Sequence, residues 1–322
     1  MITLQRYTSE KADEWNRFVA RSKNGTFLLD RRYMDYHGDR FADHSLMVYR
    51  KGRLSALLPA NVQGDTLYSH QGLTYGGLVT DSTATTVQVM EMFRKINHML
   101  AEEGISRVVY KPIPWIYHRM PAEEDLYALF AVCHTRLIAR DVSSAIAQQP
   151  RLPFTESRRS GMRKASAAGI SISEANQTAE SQELAAFWHI LDDNLCRNHG
   201  VRPVHSLAEM QLLAARFPDS IRLFTAKRDD LVLGGTLIFE TPQAVHTQYI
   251  SASEEGKRLG VLDRLFDFLI HKRYSDAHCI DFGKSTSTSD CTLNASLIFQ
   301  KEGFGGRAVC YDTYEWATSA EK

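Results

Sequence analysis

Hydrophobic and polar positions in the second half of the chain predict strands and helices in a definite order. Three strand-like runs, separated by short charged or Pro-containing connections that suit antiparallel pairing, precede a helix, a buried strand ending in glycine, a second helix and a last strand. The predicted elements are residues 221–227, 232–240, 244–252, 259–272, 279–283, 293–301 and 307–316. One face of the first helix should pack on a core, because apolar residues recur there at i, i+3, i+4 and i+7, namely at Leu262, Leu265, Phe266 and Leu269.

The first half of the chain repeats this order of elements. Its predicted strands and helices cover residues 45–50, 53–62, 66–69, 86–102, 107–111, 125–133 and 135–146. The helix at 86–102 carries an apolar stripe consisting of Val89, Met92, Phe93 and Ile96. Residue identities do not repeat, so the order of periodicities alone supports a duplication.

Length and composition also favour two domains. A chain of 322 residues can bury two cores of about 150 residues each. The content of 43% hydrophobic and 24% charged residues is ordinary for a folded globular protein. We therefore predict one domain over residues 1–150 and a second over residues 151–322.

The amino terminus and the hydropathy pattern predict a cytoplasmic protein. Met1 to Leu4 pass directly into polar residues, so there is no hydrophobic stretch of a signal peptide. No run reaches the roughly 20 apolar residues that a membrane helix needs.

The cysteines favour reduced thiols and give no metal site. The chain has an odd number of them, five, without a C-x-x-C pair. Cys196 and His199 are too few ligands to close a zinc site. We expect no metal.

Positive charge is concentrated in a basic run at residues 158–164, although the formal net charge of the chain is zero. A zero net charge gives no global attraction to DNA or other nucleic acids. If the run is helical, Arg159 and Arg163 lie at i and i+4, where like charges repel unless an anion lies between them. With Lys164, these residues predict contacts to a phosphate-bearing acceptor. The alternative is a solvated cationic face.

Further motifs lie at residues 25–27, 75–77, 158–169, 246–249, 256–260, 281–283 and 301–306. In their order and spacing, they resemble the FemAB-like branch of the GNAT superfamily of acyltransferases. The resemblance spans nearly the whole chain and implies two tandem GNAT-like domains, each a mostly antiparallel mixed α/β sheet flanked by helices. It also implies transfer of an acyl or aminoacyl group to an amine, with acyl-CoA or aminoacyl-tRNA as the donor.

Two residues are candidates for catalysis. The amine must lose a proton as it attacks a carbonyl, and the developing oxyanion requires a cation or hydrogen-bond donor. Lys301 is the candidate cation, since the resemblance places a functional lysine in its motif and the glycines at 303–306 could let backbone approach a ligand; the alternative is a charge that favours a helix carboxyl end. Asp281, at a strand end, could orient the amine or accept its proton, or cap the following turn.

The third strand of the second half offers contacts to the acceptor. His246 and Tyr249, three residues apart, should point to opposite faces of the sheet, whereas Gln248 shares the face of His246. We therefore select His246 and Gln248 as acceptor contacts. A half-exposed polar sheet face is the alternative.

The donor site is predicted at residues 254–262. Acetyl-CoA enzymes of the superfamily carry Arg or Gln, two residues, Gly, one residue and then Gly or Ala ahead of a helix that holds the pyrophosphate. Lys257, Gly260 and Leu262 take these places, and Arg258 adds a second cation. Leu262 and the neighbouring Glu254 and Glu255 depart from the pattern, so the donor remains undecided between acyl-CoA and aminoacyl-tRNA.

Three functions agree with these residues. The first is a transferase that acylates or aminoacylates an amine of a cell-envelope sugar or peptide precursor, in peptidoglycan or polysaccharide biosynthesis. The second is an acetyl-CoA-dependent N-acetyltransferase of a small amine. The third is a binding protein that keeps the double fold without catalysis.

Overall fold

The computed structural model describes residues 1–175, 181–287 and 290–318, and for His199 only the backbone. The chain forms two compact units, one of Met1–Asp141 with Cys310–Lys322 and one of Val142–Val309. These units differ from a contiguous division at residue 150, because the closing residues of the chain group with the first unit.

Among its described residues, the first unit contains strands of two sheets and four α-helices. Its strands are β1 (Ile2–Arg6), β2 (Ala42–Asp43), β3 (Leu46–Arg50), β4 (Arg53–Leu58), β5 (Asn61–Gln63), β6 (Thr66–Tyr68), β7 (Val79–Thr80) and β8 (Arg107–Tyr110). Its helices are α1 (Ala12–Arg21), α2 (Arg31–Met34), α3 (Thr86–Glu102) and α4 (Glu124–Ala131). One sheet has the order β1-β3-β4-β7, and β8, β6, β5 and β2 are neighbours in the other.

The core of the first unit forms around α3. The four residues of its predicted stripe are all buried, together with Leu100. A capping box of Thr85 and Gln88 starts this helix, because each side chain bonds to the backbone N–H of the other residue.

In its described residues, the second unit carries one sheet with helices on both faces. It receives the end of β9 (Arg136–Ala147), from residue 142 onward, and the start of β15 (Arg307–Ala317). The other strands are β10 (Ser171–Ala175), β11 (Ile221–Arg228), β12 (Leu231–Glu240), β13 (Ala244–Ala252) and β14 (Cys279–Lys284). The helices are α5 (Glu156–Ala167), α6 (Gln182–His199), α7 (Leu207–Arg216), α8 (Glu254–Leu259), α9 (Val261–Phe268) and α10 (Ala295–Gly303).

The strand order in the second unit is β10-β11-β12-β13-β14-β9. All neighbours are antiparallel except β13 and β14, which are parallel. Helix α9 packs Leu265 and Phe266 on one face of this sheet, against Ile238, Val245 and Phe282 among others. Burial of an aromatic or branched side chain of this kind contributes about 1.5–3 kcal/mol.

Most predicted elements appear within one or two residues of their predicted ends, and two differ for clear reasons. The predicted strand at 53–62 is divided into β4 and β5 around Pro59, which has no N–H to donate to a sheet ladder. The predicted helix at 259–272 becomes α9 followed by a π-helical turn at Leu269–Arg273, and α8 precedes it. Among the helices of the described residues, none combines the length and hydropathy needed to cross a membrane.

Candidate functional site

Strands β13 and β14 pair over three residues only and then separate. The paired residues are Ala244 with Cys279, Val245 with Ile280, and His246 with Asp281. Beyond this last pair, β13 continues to Ala252 and β14 to Lys284. The separation leaves backbone and side chains of both strands available to a ligand in the middle of the sheet.

A pocket of about 240 Å³ lies at this separation. Its wall is formed by residues of α6 (Leu191, Asn194, Leu195, Asn198), β13 (Ile250, Ser251, Ala252), α8 and α9 (Lys257, Leu262, Phe266), β14 (Phe282) and α10 (Leu297, Gln300, Lys301, Phe304). Most of this wall is apolar, and two lysines carry its charge.

Lys301 is a buried cation in the pocket wall. Its side chain is 5% exposed, and Nζ donates hydrogen bonds to the carbonyl oxygens of Gly283, at 2.8 Å, and Lys284, at 2.9 Å. An ammonium has three N–H donors, so one remains for a ligand. Burial lowers the pKa of Lys301 to about 8, although the charge of Asp281 opposes this change. At pH 7 Lys301 is therefore mostly protonated and can stabilise a developing oxyanion.

Asp281 and His246 form a buried pair where the strands separate. The Asp281 side chain is fully buried, and its Oδ2 lies 2.8 Å from Nδ1 of His246, whose side chain is 13% exposed. The other carboxylate oxygen accepts bonds from the Ser143 hydroxyl and from the backbone N–H of Gly283, the latter at 3.1 Å. Both carboxylate oxygens of Asp281 are thus engaged by other residues of the protein, and Asp281 orients His246. Its bond to the Gly283 N–H also agrees with the alternative that Asp281 caps the turn.

The prediction that His246 and Tyr249 point to opposite faces is wrong, because β13 contains an irregularity. In the pairing with β12, Leu237 is opposite Tyr249 whereas Ile238 is opposite Thr247, which leaves Gln248 as an extra residue. Phe239 is opposite His246, so His246 and Tyr249 lie on the same face.

That face of β13 is covered by α6. Tyr249 packs edge-on against Trp188, and its hydroxyl lies 2.7 Å from Nδ1 of His205. Burial raises the pKa of Tyr249 to about 12, so the phenol stays protonated. Gln248 is half-buried and hydrogen-bonds Tyr249. The face therefore carries His246 and Tyr249 in one row.

The basic run is helical, as α5, and supplies its own anion. Arg159 and Arg163 both donate to the carboxylate of Glu156, whose pKa these bonds lower. Lys164 is exposed. Arg158 instead faces inward, 2.8 Å from Asp263, and its guanidinium lies 5.4 Å from the centre of the Phe304 ring in the pocket wall.

The predicted donor loop is helical. Ser253 caps α8 through the N–H of Gly256, and Gly260, with φ +76°, separates α8 from α9. Lys257 lines the pocket, where Nζ lies 2.8 Å from Asn194 and 2.7 Å from Glu254. Arg258 is largely exposed, 3.7 Å from Glu255.

Helix α5 covers the amino end of α9. A Cβ on Gly260 would lie 2.7 Å from the carbonyl oxygen of Gly161, so the two backbones are in direct contact. The carboxylate of Asp263, in the first turn of α9, is buried there beside Arg158; burial raises its pKa and Arg158 opposes the change. The helix end that would hold a pyrophosphate is thus occupied by the protein itself.

The glycines at 303–306 allow close approach of the protein's own backbone. A Cβ on Gly305, whose φ is +94°, would lie 2.8 Å from the carbonyl oxygen of Leu152, and a Cβ on Gly303 would touch Thr155 and Arg158. The segment before α5 packs on the end of α10, and this close packing explains why glycine is present at positions 303 and 305.

Contributors to the site that were not selected from the sequence include Ser143, Asn194 and Arg158. Arg158 shares a helical face with Gly161 and the buried Ala165, at i+3 and i+7, which is a readable packing pattern. Asn194, which donates to Ser251 and to the carbonyl of Ala252, belongs to a helix that was not predicted. Of the two possible zinc ligands, Cys196 is exposed and the side chain of His199 lies outside the described residues.

Comparisons with known proteins agree with this architecture. Residues 155–288 match the family model of an acetyltransferase (GNAT) domain. No curated protein sequence matches the chain.

Three solved structures share the fold at low identity. FemX is 12% identical with a TM-score of 0.67, over 96% of this chain and 96% of FemX. The C-terminal domain of a proposed lysylphosphatidylglycerol synthetase from Agrobacterium fabrum is 12% identical with a TM-score of 0.62, over 97% of this chain and 92% of that one. A tandem GNAT protein from the clavulanic acid biosynthesis pathway is 11% identical with a TM-score of 0.52, over 100% of both chains.

The domain match places a GNAT domain at residues 155–288, and the solved structures share the fold of the whole chain. They also confirm the predicted fold class, with two GNAT-like domains in tandem, each a mixed sheet flanked by helices.

Proposed function

We propose that this protein is a transferase that moves an acyl or aminoacyl group from a carrier to an amine of a cell-envelope sugar or peptide precursor. The observation that carries the proposal is the stretch of β14 from Asp281 to Lys284: Asp281 pairs there with His246 of β13, and the Gly283 and Lys284 carbonyls accept hydrogen bonds from Lys301 in the pocket wall. The GNAT domain match supports the acyltransferase class. The resemblance to the FemAB-like branch supports the cell-envelope context, and the fold shared with FemX agrees with that resemblance.

In the proposed reaction, the acceptor enters as an ammonium and loses one proton to Nε2 of His246. Asp281 accepts the hydrogen bond from Nδ1, which leaves the lone pair of the neutral ring on Nε2. The amine then attacks the carbonyl carbon of the donor. A C–N bond forms, the bond between the acyl carbon and the carrier breaks, and a second amine proton leaves with the carrier.

Lys301 has the complementary role. Two of its N–H groups are fixed by the Gly283 and Lys284 carbonyls, so the remaining donor has a defined direction within the pocket wall. A positioned cation of this kind stabilises the negative charge that develops on the carbonyl oxygen. In this proposal Lys301 binds the donor carbonyl and His246 serves the acceptor amine.

Aminoacyl-tRNA is the donor class that we favour over acyl-CoA. The contact of Gly161 with Gly260, together with the buried Asp263 carboxylate, occupies the helix end where the CoA pyrophosphate would bind. A donor whose phosphates lie outside this helix end does not meet this obstacle.

In the proposal, helix α5 binds the phosphates of the acceptor. Arg159 and Arg163 are 46% and 59% exposed, so the Glu156 carboxylate between them can exchange with a phosphate at little cost. Lys164 adds charge to the same helix.

The experiment is a transfer assay followed by mass spectrometry. Purified protein is incubated with a nucleotide-linked peptide or amino-sugar precursor and with alanyl-tRNA, seryl-tRNA, glycyl-tRNA or acetyl-CoA in turn. We expect a product heavier by one aminoacyl residue, with the new group on an amine of the precursor. Binding of the precursor without product from any donor would instead support the non-catalytic alternative and overturn the proposal.

A further inference from the structure

The charged residues in the described wall of the pocket between β13 and β14 are all cationic. Of the fifteen described residues that form the wall, Lys257 and Lys301 are cationic and none is Asp or Glu. The carboxylate nearest to Lys257 is that of Glu254, whose side chain is 74% exposed and outside the wall. A cationic side chain of the transferred group that extends into the pocket would therefore meet like charge from both lysines.

The rest of the wall is mainly apolar. Eight of the fifteen residues are Leu, Ile or Phe, and the aromatic members Phe266, Phe282 and Phe304 pack on one another with ring centres 4.9–5.7 Å apart. Such a wall favours alkyl or aryl groups, because it removes their surface from water. An ammonium that leaves water here loses its hydration without gaining a carboxylate partner among the described residues of the wall.

We propose that the part of the transferred group that occupies this pocket is uncharged and apolar, such as an alkyl or aryl chain or the side chain of an apolar amino acid. A lysine-like cationic side chain is excluded by the same wall. This inference rests on the proposed function, because that function identifies the bound group as the one that is transferred. The preference of the pocket for apolar groups can be measured without any reaction.

Two amides that differ only at one end are suitable probes. Heptanamide ends in a methyl group where 6-aminohexanamide ends in an ammonium, and neither amide can donate an acyl group readily. Dissociation constants are measured by saturation-transfer NMR titration at pH 7. We expect heptanamide to bind more tightly by about tenfold, which corresponds to roughly 1.4 kcal/mol.

Charge variants of the wall locate this preference. Asn198→Asp and Gln300→Glu each place one carboxylate in the wall without changing the size of the side chain. Either variant should reduce the ratio of the two dissociation constants by about tenfold, because an opposite charge at close range offsets the desolvation of the ammonium. Gln182→Glu makes the same change at an exposed position of α6 outside the wall and should leave the ratio unchanged.

Three results would overturn the inference: equal or tighter binding of 6-aminohexanamide, a ratio unaffected by both wall variants, or no binding of either probe at 20 mM. Folding of each variant is checked by its circular dichroism. Failure of the proposed function would look different, since a protein without transfer activity could still show the predicted ratio.

Discussion

Asp281 holds His246 at the last residue pair that joins β13 to β14. Its Oδ2 lies 2.8 Å from Nδ1 of the imidazole, while the Ser143 hydroxyl and the Gly283 N–H occupy its other oxygen. Gly283, with φ +73°, also leaves room for the ring, because a Cβ there would lie 3.2 Å from Cε1 of His246. The orientation of His246 is therefore fixed from two sides, as a base that must meet an amine requires.

Replacing His246 should remove the base and keep the fold. In His246→Gln the side-chain amide can still donate to Asp281, so the buried carboxylate stays paired. We expect kcat to fall by about 100-fold or more, the usual contribution of a positioned base, with KM for the donor nearly unchanged. Steady-state transfer kinetics measure both constants. A kcat within twofold of the wild type would remove His246 from the mechanism.

The ionisation of Lys301 should appear in stability as well as in activity. Its pKa is about 8 in the folded protein and 10.5 as the ordinary value, so between these pH values the unfolded chain holds a proton that the folded protein has released. The free energy of unfolding should therefore rise from pH 8 to 10.5, relative to Lys301→Met, by roughly 3 kcal/mol. Below pH 8 both states hold the proton and the difference is constant.

Urea unfolding of both proteins across this pH range measures the difference. Other groups that titrate at high pH cancel in the comparison, because they are present in both chains. Parallel pH dependences for wild type and Lys301→Met would show that Lys301 is not buried as a cation.

Coenzyme A should not stabilise the protein. Gly161 lies against Gly260, and Asp263 is buried at the same helix end, so a pyrophosphate there would displace helix α5. A ligand at one hundred times its dissociation constant adds about 2.7 kcal/mol to the free energy of unfolding, which a thermal shift detects readily. We expect no shift with 1 mM acetyl-CoA. A rise of several degrees in the melting temperature would show that CoA binds and would support acyl-CoA as the donor.

Gly305 should be needed for stability rather than for ligand contact. Gly305→Ala combines an unfavourable φ of +94° with a Cβ 2.8 Å from the Leu152 carbonyl, so we expect a loss of about 3 kcal/mol. Gly104→Ala is the matched control, since φ there is +78° and nothing lies within 4 Å; its cost should be about 1 kcal/mol. Chemical denaturation measures both. Equal losses would show that the Leu152 contact is unimportant.

The periodicity of apolar residues was sufficient to predict helices and strands whose ends are marked by capping or turn residues in their own sequence. Helix α3 begins and ends where it was predicted, because the capping box at Thr85 and the apolar stripe both lie within its own sequence. Strands β11, β12 and β13 were predicted for the same reason, as apolar runs bounded by short polar turns.

The details of the site depend on residues that are distant in sequence, and those could not be predicted. The extra residue at Gln248 is defined by its pairing with β12, and it decides which face Tyr249 takes. Arg158 and Arg159 are adjacent in sequence, and the packing of α5 on α9 decides that Arg158 faces inward whereas Arg159 does not. Asp281 was selected from the sequence as a strand-end carboxylate, but its partners Ser143 and His246 are 138 and 35 residues away in sequence.

The rate of group transfer in Lys301→Met tests the central claim most directly, namely that transfer occurs between β13 and β14. Lys272→Met is the control, because it removes an exposed lysine from the same unit. Single-turnover transfer at pH 7 should fall by about 100-fold in Lys301→Met, as expected for loss of an oxyanion donor, and stay within about twofold in Lys272→Met. Transfer by folded Lys301→Met at the wild-type rate would contradict the account.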